Sequence, residues 1–165
     1  MWPRVRPTIS ATLTLMRTNL CALLLGALLL TVPLQAQKKA IAPPEFVPAP
    51  GAAEPMFSPG ILVDGTLYIS GQIGADLKTR EVPADFEAEV KTCLDNIGMV
   101  LKAAGMTYAD VVSVQVYLTD MDLFARMNAV YATYFKTPRP ARTAVGVTRL
   151  ALPKARIEIT VTARE

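Results

Sequence analysis

The sequence contains no histidine and only two cysteines, Cys21 and Cys93, among its 165 residues. Without histidine, the chain lacks the usual general base at neutral pH, the usual zinc ligand and any histidine-dependent catalytic triad. Two cysteines cannot form a disulfide framework or a metal knuckle. We therefore expect no metal site, and we expect any catalysis to depend on arginine, carboxylates, hydroxyls and backbone groups.

Residues 1–36 have the pattern of a cleaved secretory signal peptide. Arg17 precedes an apolar run at 20–32, and small residues place a cleavage point after Ala36. The pattern fits better if translation starts at Met16. The prediction is a periplasmic or secreted protein. The alternative is an uncleaved membrane anchor, because the uncharged stretch around the run is just long enough to span a bilayer.

The excess of positive charge lies in this leader. The chain has 17 Lys and Arg against 14 Asp and Glu, and three of the basic residues are Arg4, Arg6 and Arg17. Subtracting those three from 17 leaves 14 basic residues against 14 acidic ones, because the leader contains no acid. A neutral mature chain gives no electrostatic support for binding nucleic acid.

The rest of the chain divides into a linker over 37–55 and one folded domain over 56–165. The linker is rich in proline, which predicts an extended and poorly ordered segment. The domain has about 110 residues, which is enough for a single core.

Apolar periodicity predicts the element order β-β-α-β-α-β-β within the domain. The first two strands form a hairpin whose turn is Asp64-Gly65, a strong type I′ signal. The remaining elements are expected at 86–104 (helix), 112–118 (strand), 121–135 (helix), 141–147 and 156–163 (strands). This order predicts an α+β sandwich, with a mixed sheet and two helices on one of its faces.

The other face of the sheet is expected to have mixed polarity. In the strand predicted at 112–118, Val112, Val114, Val116 and Leu118 alternate with polar residues such as Gln115. A small domain often covers such a face with another copy of the chain, which predicts a homo-oligomer with any site at the subunit boundary.

The last two predicted strands, at 141–147 and 156–163, each carry a charged residue among apolar or small ones, namely Arg142 and Glu158. One interpretation is an ordinary cross-strand ion pair. The other is a small hydrolytic site, in which the guanidinium binds a carboxylate and the glutamate activates water. The residues alone leave both open.

Five short segments at characteristic separations span nearly the whole domain. They are Phe57-Ser58-Pro59-Gly60, Ser70-Gly71-Gln72-Ile73, Asn128-Ala129-Val130-Tyr131, Pro140-Ala141-Arg142-Thr143 and Ile157-Glu158-Ile159. Together they resemble the YjgF/Rid family, the reactive-intermediate deaminases, also called the L-PSP family. The resemblance implies a fold like that of chorismate mutase, in a homotrimer with a central barrel and three clefts between subunits.

The resemblance also implies an activity. Family members hydrolyse small enamine and imine carboxylates, such as 2-aminoacrylate and 2-iminobutanoate, to 2-keto acids and ammonia without a metal or an organic cofactor. Arg142 matches the residue that binds the substrate carboxylate, and a guanidinium fork suits that role. Glu158 matches the residue that positions and activates the attacking water.

Other positions match residues that line or support the cleft: Phe57, Ser70, Gly71, Asn128 and Ala144. Two of them depart from the common pattern, since many members have tyrosine where this chain has Phe57 and cysteine where it has Ala144. Both changes could alter substrate preference.

Two further functions compete with the deaminase. One is a non-catalytic module that uses the same cleft to bind a small carboxylate, and the loss of the hydroxyl and thiol favours it mildly. The other is a ribonuclease, which the neutral charge and the missing histidine disfavour.

Overall fold

The computed structural model describes residues 37–48 and 50–165. The expected leader lies outside these residues, so its cleavage and the export of the protein stay predictions. The strands are β1 (Lys39–Ile41), β2 (Gly60–Val63), β3 (Thr66–Ile73), β4 (Val111–Leu118), β5 (Ala141–Gly146) and β6 (Ile157–Arg164), and the helices are α1 (Phe86–Ala103) and α2 (Phe124–Tyr134).

The strands form one mixed sheet in the order β1-β2-β3-β6-β4-β5. All neighbouring strands are antiparallel except β4 and β5, which are parallel. Helix α1 packs on β3 and β6, and α2 packs beside α1. This arrangement confirms the α+β fold predicted from the sequence.

Helix α1 begins and ends where the sequence indicates. The Asp85 side chain accepts a hydrogen bond from the Ala88 amide at 2.9 Å and caps the first turn. The apolar stripe of α1 is buried in the core. Gly105, with φ +81°, follows the last turn of the helix. Neither α-helix in the described part of the chain is long and apolar enough to cross a membrane.

The sheet starts earlier than predicted. The expected linker over 37–55 contains strand β1, which pairs with β2 and buries Ile41 to 4 % exposure. Further along the same segment, Phe46 packs against the core. The segment also contains a 3₁₀ turn, Pro44–Phe46, so it is not simply an extended, poorly ordered linker, and Ile41 and Phe46 attach it to the domain.

Two local predictions were wrong in detail. Val112 is 49 % exposed, because the pairing of β4 with β6 shifts between Val111 and Ser113 and buries Val111 instead. The helix expected to start at residue 121 begins as a 3₁₀ turn, Met121–Leu123, and α2 itself starts at Phe124.

The hairpin prediction is confirmed. Asp64 and Gly65 have φ values of 48° and 69°, the left-handed pair that a type I′ turn needs. This tight turn fixes the register of β2 against β3. It therefore also fixes the position of residues 70–73 at the far end of β3.

Candidate functional site

A bulge in β3 shapes the site. Ile69 pairs with Val161 and Gln72 pairs with Ile159, so Ser70 and Gly71 together occupy the space opposite a single residue of β6. A bulge bends the strand and changes the direction in which its residues point, and bulges are common beside active sites.

The bulge places Gly71 directly against the side chain of Glu158. A Cβ atom at residue 71 would overlap Oε1 of Glu158 and would lie 2.9 Å from its Cδ atom. Gly71 does not have a positive φ, so it is the close approach of the carboxylate that requires glycine here.

Neighbouring loops hold the bulge in place. The Ser70 hydroxyl donates to the Ser58 carbonyl at 2.7 Å, and the Ser70 amide donates to the Pro59 carbonyl at 3.0 Å. From α1, the Cys93 thiol donates to the Gln72 carbonyl at 3.1 Å. Burial raises the pKa of Cys93 far above its usual range, so the thiol stays protonated and remains a donor.

Glu158 and Gly71 line a cavity of ≈ 390 Å³ whose walls are mostly apolar. The polar groups around it include Gln72 and Asn96, which are nearly buried, and one cation, Arg80. The complete lining is Phe46, Phe57, Ser70, Gly71, Gln72, Ile73, Ala75, Leu77, Arg80, Asn96, Ala151 and Glu158. We call this the glutamate cavity.

Arg142 lies at a second cavity, of ≈ 470 Å³, which we call the arginine cavity. Its lining is Asn128, Tyr131, Ala132, Arg139, Pro140 and Arg142. The Arg142 Cζ atom lies 4.5 Å from the centre of the Tyr131 ring and 5.6 Å from the centre of the Phe124 ring. Arg142 makes no ion pair with a described carboxylate, so its guanidinium fork is free to bind an anion.

The tyrosine under Arg142 is itself buried, with 4 % exposure. Its hydroxyl finds no hydrogen-bond partner among the described residues. Burial raises the pKa of Tyr131, and the charges of Arg142 and Arg139 oppose that rise. The arginine cavity therefore combines two cations with a buried phenol and contains no acid.

Arg142 and Glu158 lie on opposite faces of the sheet. Glu158 alternates with Ile157 and Ile159, which are fully buried under the helices, so Glu158 points to the other face. Arg142 pairs with buried Val114 and lies over an aromatic ring of α2 on the helix side.

Strand β4 also separates these two residues. Glu158 pairs with Tyr117, which pairs in turn with Val145, three residues beyond Arg142. Arg142 and Glu158 are therefore separated by two strand spacings across the sheet and by three residues along a strand. Together these distances place their Cα atoms roughly 14 Å apart. The interpretation as a cross-strand ion pair within one chain is therefore wrong.

Comparison with known proteins identifies the family. Residues 48–165 match the family described as Endoribonuclease L-PSP. This is the L-PSP family that the five sequence segments resemble. The chain belongs to the Rid/YjgF family. A human 2-iminobutanoate/2-iminopropanoate deaminase is 47 % identical over 113 residues, covering 67 % of this chain and 80 % of that protein.

Solved structures of Rid proteins share the fold. RidA from the Antarctic bacterium Psychrobacter sp. superposes with a TM-score of 0.67 at 35 % identity, covering 77 % of this chain and 100 % of that chain. TdcF of E. coli, whose structure contains bound serine, superposes with a TM-score of 0.67 at 32 % identity, covering 77 % of this chain and 99 % of that one.

Within this Rid fold, the residues predicted for the site fall into two groups. Phe57, Ser70, Gly71 and Glu158 meet at the glutamate cavity, whereas Asn128 and Arg142 meet at the arginine cavity. Ala144 belongs to neither group. It pairs with buried Val116 and packs against the core.

A buried acid that was not predicted from the sequence supports the candidate site. Glu89 of α1 is fully buried and accepts hydrogen bonds at 2.6 Å from both the backbone amide and the Nε atom of Arg156. This pair fixes the start of β6, two residues before Glu158. The sequence did contain a signal for this buried pair. Glu89 lies on the apolar stripe of α1, where an unpaired charge is costly and a partner is therefore expected.

Proposed function

We propose that this protein hydrolyses the imines, and the enamines in equilibrium with them, of small 2-amino acids to 2-keto acids and ammonia. The human, rat and bovine relatives, at 46–47 % identity, are 2-iminobutanoate/2-iminopropanoate deaminases. The glutamate cavity holds a carboxylate beside mostly apolar walls, and the arginine cavity holds a free guanidinium. In the proposed reaction the carboxylate directs water and the guanidinium binds the carboxylate of the substrate.

The observation that carries the proposal is the separation of these two groups on opposite faces of one chain. Because Arg142 and Glu158 are too far apart within one chain to act on one small substrate, the proposed site requires two copies. We propose that adjacent copies in a homotrimer bring the arginine cavity of one against the glutamate cavity of the next. The side of the sheet away from the helices exposes Tyr68 to 52 % and Val145 to 41 %, as a surface covered by another copy would.

In the proposed reaction, Arg142 binds the substrate carboxylate through two parallel N–H···O bonds. Glu158 orients a water molecule and accepts its proton as the water oxygen bonds to the protonated imine carbon. Glu158 then returns this proton to the nitrogen, and the carbon–nitrogen bond breaks as the new hydroxyl gives its proton to Glu158, so that ammonia leaves and a 2-keto acid remains. The protonated imine is already electrophilic, so the chain contributes mainly position.

We do not propose ribonuclease activity, although the family description names an endoribonuclease. The residues after the predicted leader carry equal numbers of basic and acidic groups. Strong binding to RNA depends on a surplus of positive charge near the phosphates.

The first test measures turnover of freshly generated 2-iminobutanoate and 2-aminoacrylate by the wild type, Arg142→Ala and Glu158→Gln. We expect hydrolysis by the wild type, loss of it in Arg142→Ala, and a rate lower by 10²–10⁴ in Glu158→Gln. Turnover that neither change affects would place the site elsewhere. Binding of 2-oxobutanoate that depends on Arg142, without turnover, would indicate a capture module.

A second test addresses the assignment of the two halves to different copies. Arg142→Ala and Glu158→Gln chains should be inactive or slow alone, but a mixed oligomer should contain sites that combine an intact Arg142 with an intact Glu158. Random mixing in equal amounts should restore about a quarter of the wild-type rate. Mixing Arg142→Ala with Arg142→Gln should restore nothing. The same absence in the first mixture would contradict a shared site.

We also propose that the leader directs export and is removed after Ala36. The protein recovered from an exporting cell should then begin at Gln37, as intact mass measurement can determine. A chain that keeps residues 1–36 and sediments with membranes would favour the anchor instead.

A further inference from the structure

Arg80 has an unusual backbone conformation. Its φ of 61° is left-handed, and in the described ranges only one other residue that is not glycine, Asp64, has a positive φ. Asp64 lies in a type I′ turn and belongs to a residue type that tolerates this region, whereas a long side chain such as arginine does not favour it. A conformation of this kind persists when its surroundings fix it, and it often marks a functional residue.

The loop around Arg80 is closed by Asp76. Its Oδ1 atom accepts hydrogen bonds from the Lys78 amide at 2.9 Å and the Thr79 amide at 2.8 Å. These amide donors lower the pKa of Asp76, so its carboxylate remains charged and the turn remains closed at neutral pH. The Arg80 amide donates to the Asp76 carbonyl at 3.0 Å, and the Asp76 amide donates to the Glu81 carbonyl at 2.9 Å.

This closed loop places Arg80 at the glutamate cavity. The only charged residues in its lining are Arg80 and Glu158, and they do not form an ion pair. Apolar side chains, including Phe46 and Leu77, form much of the remaining wall. No described carboxylate pairs with the Arg80 guanidinium, so it is available to an acidic group of a ligand.

We propose that Arg80 is a second anion-binding residue of the site, and that the preferred substrates are imines of amino acids with an acidic side chain. The proposal rests on the proposed function. Arg142 of the adjacent copy would bind the 2-carboxylate, Glu158 would direct water to the imine carbon, and the side-chain carboxylate would reach Arg80. A cavity of ≈ 390 Å³ has the size of a small-molecule site.

The chemistry of the step is unchanged for such a substrate. Water adds to the imine carbon, the carbon–nitrogen bond breaks, and the products are a 2-oxo dicarboxylic acid and ammonia. Arg80 takes no proton and touches no reacting atom in this scheme. Its effect is on which substrate binds, so it should appear in a comparison of substrates.

The test compares the imines formed by oxidation of aspartate and glutamate with 2-iminobutanoate. The variants are Arg80→Gln, Arg80→Gly and Arg80→Lys. Glycine is suited to a φ of 61°, so Arg80→Gly should fold even if other changes disturb the loop. The matched control is Arg164→Gln, which makes the same charge change beside Thr66 at the other end of β6.

We expect the wild type to favour the dianionic imines. Arg80→Gln and Arg80→Gly should lower kcat/KM for them by about 10- to 100-fold, as for loss of a hydrogen bond to a charged group, and should leave 2-iminobutanoate almost unchanged. Arg80→Lys should retain part of the preference, because it keeps the charge without the fork. An unchanged preference in Arg80→Gln, or an equal loss in Arg164→Gln, would overturn the proposal.

Binding without turnover separates this proposal from the proposed function. Calorimetry with 2-oxoglutarate and 2-oxobutanoate should show tighter binding of the dicarboxylate, and Arg80→Gln should abolish the difference. If no imine is hydrolysed, the deaminase proposal fails, yet an Arg80-dependent difference would still support the second anion site. Equal affinity for the two acids in the wild type would refute it.

Discussion

The Cα atom of Gly71 faces the carboxylate of Glu158 so closely that no side chain fits between them. An added Cβ would overlap Oε1 and would lie 2.9 Å from Cδ and 3.2 Å from Cγ of Glu158. The bulge in β3 creates this contact, and the hydrogen bond from Ser70 to Ser58 secures the bulge. The position of the proposed water-activating group is therefore set by a neighbouring strand as well as by β6.

Gly71→Ala should therefore displace the Glu158 side chain. We expect kcat/KM for imines to fall at least 10-fold, and the free energy of unfolding to fall by about 1–3 kcal/mol, as for overpacking. The measurements are steady-state kinetics and denaturant unfolding.

The control for this change is Gly146→Ala. Its Cβ would lie 3.1 Å from Cγ of Met121, a flexible side chain that is 45 % exposed and can move. Gly146→Ala should leave kcat/KM within about twofold of the wild type. Normal activity in Gly71→Ala would show that the glutamate does not act from its observed position.

The buried Glu89–Arg156 pair should be important for stability. Glu89 is fully buried and accepts from the amides of Arg156 and Ile157 as well as from the guanidinium. Glu89→Leu should lower the free energy of unfolding by about 3–5 kcal/mol, because it leaves a partly buried cation and two amides without their acceptor.

The exposed pair of Lys91 and Asp95 provides the comparison, since its side chains are 66 % and 41 % exposed. Lys91→Ala should cost less than about 1 kcal/mol. Equal losses in the two variants, measured by urea unfolding, would mean that burial adds nothing to the first pair.

Stability should fall at alkaline pH because of Cys93. Burial raises the pKa of this thiol in the folded state, whereas in the unfolded chain the thiol has its ordinary pKa of about 8.5. Above that pH the unfolded state loses a proton that the folded state keeps, so the free energy of unfolding decreases as pH rises. Between pH 7 and pH 9.5 the loss due to this thiol is about 1.4 kcal/mol.

Cys93→Ala isolates this contribution. The variant should be less stable than the wild type at pH 7, because it lacks the sulfur atom and its hydrogen bond to Gln72. Its further loss between pH 7 and pH 9.5 should nevertheless be smaller by about 1.4 kcal/mol. Parallel curves for the two proteins would mean that another group causes the alkaline decline.

The sequence predicted the regular elements well because their signals are local. The stripe of α1 and the Asp64-Gly65 turn each depend on neighbouring residues, and both are present where expected. The five family segments, with Arg142 and Glu158, identified the family correctly. Strand β1 was missed because its burial of Ile41 depends on pairing with β2, about twenty residues away.

The placement of Arg142 and Glu158 on opposite faces of the sheet could not be predicted from the sequence. It depends on which residues of β5 and of β6 point toward the helices, and on β4 lying between these two strands. The two bulges could not be predicted either. The register shift in β4 exposes Val112, and the one in β3 brings Gly71 to Glu158. Neither shift is detectable in the hydrophobic periodicity of the sequence.

The aromatic rings beneath Arg142 should set the position of its guanidinium. Tyr131 is the nearer, at 4.5 Å from Cζ, and Phe124 lies at 5.6 Å. Tyr131→Phe keeps the ring and removes a buried hydroxyl that has no partner among the described residues. It should therefore keep kcat/KM within about threefold of the wild type.

Tyr131→Leu removes the nearer ring and leaves only the more distant Phe124 ring beneath the guanidinium. We expect KM for 2-iminobutanoate to rise about tenfold with a smaller change in kcat, because Arg142 is proposed to bind the substrate carboxylate and not to react. Phe124→Leu should have a weaker effect in the same direction, because its ring is farther away. A fall in kcat with unchanged KM would instead link Tyr131 to the chemical step, and equal effects of the Phe and Leu variants would assign the role to the hydroxyl.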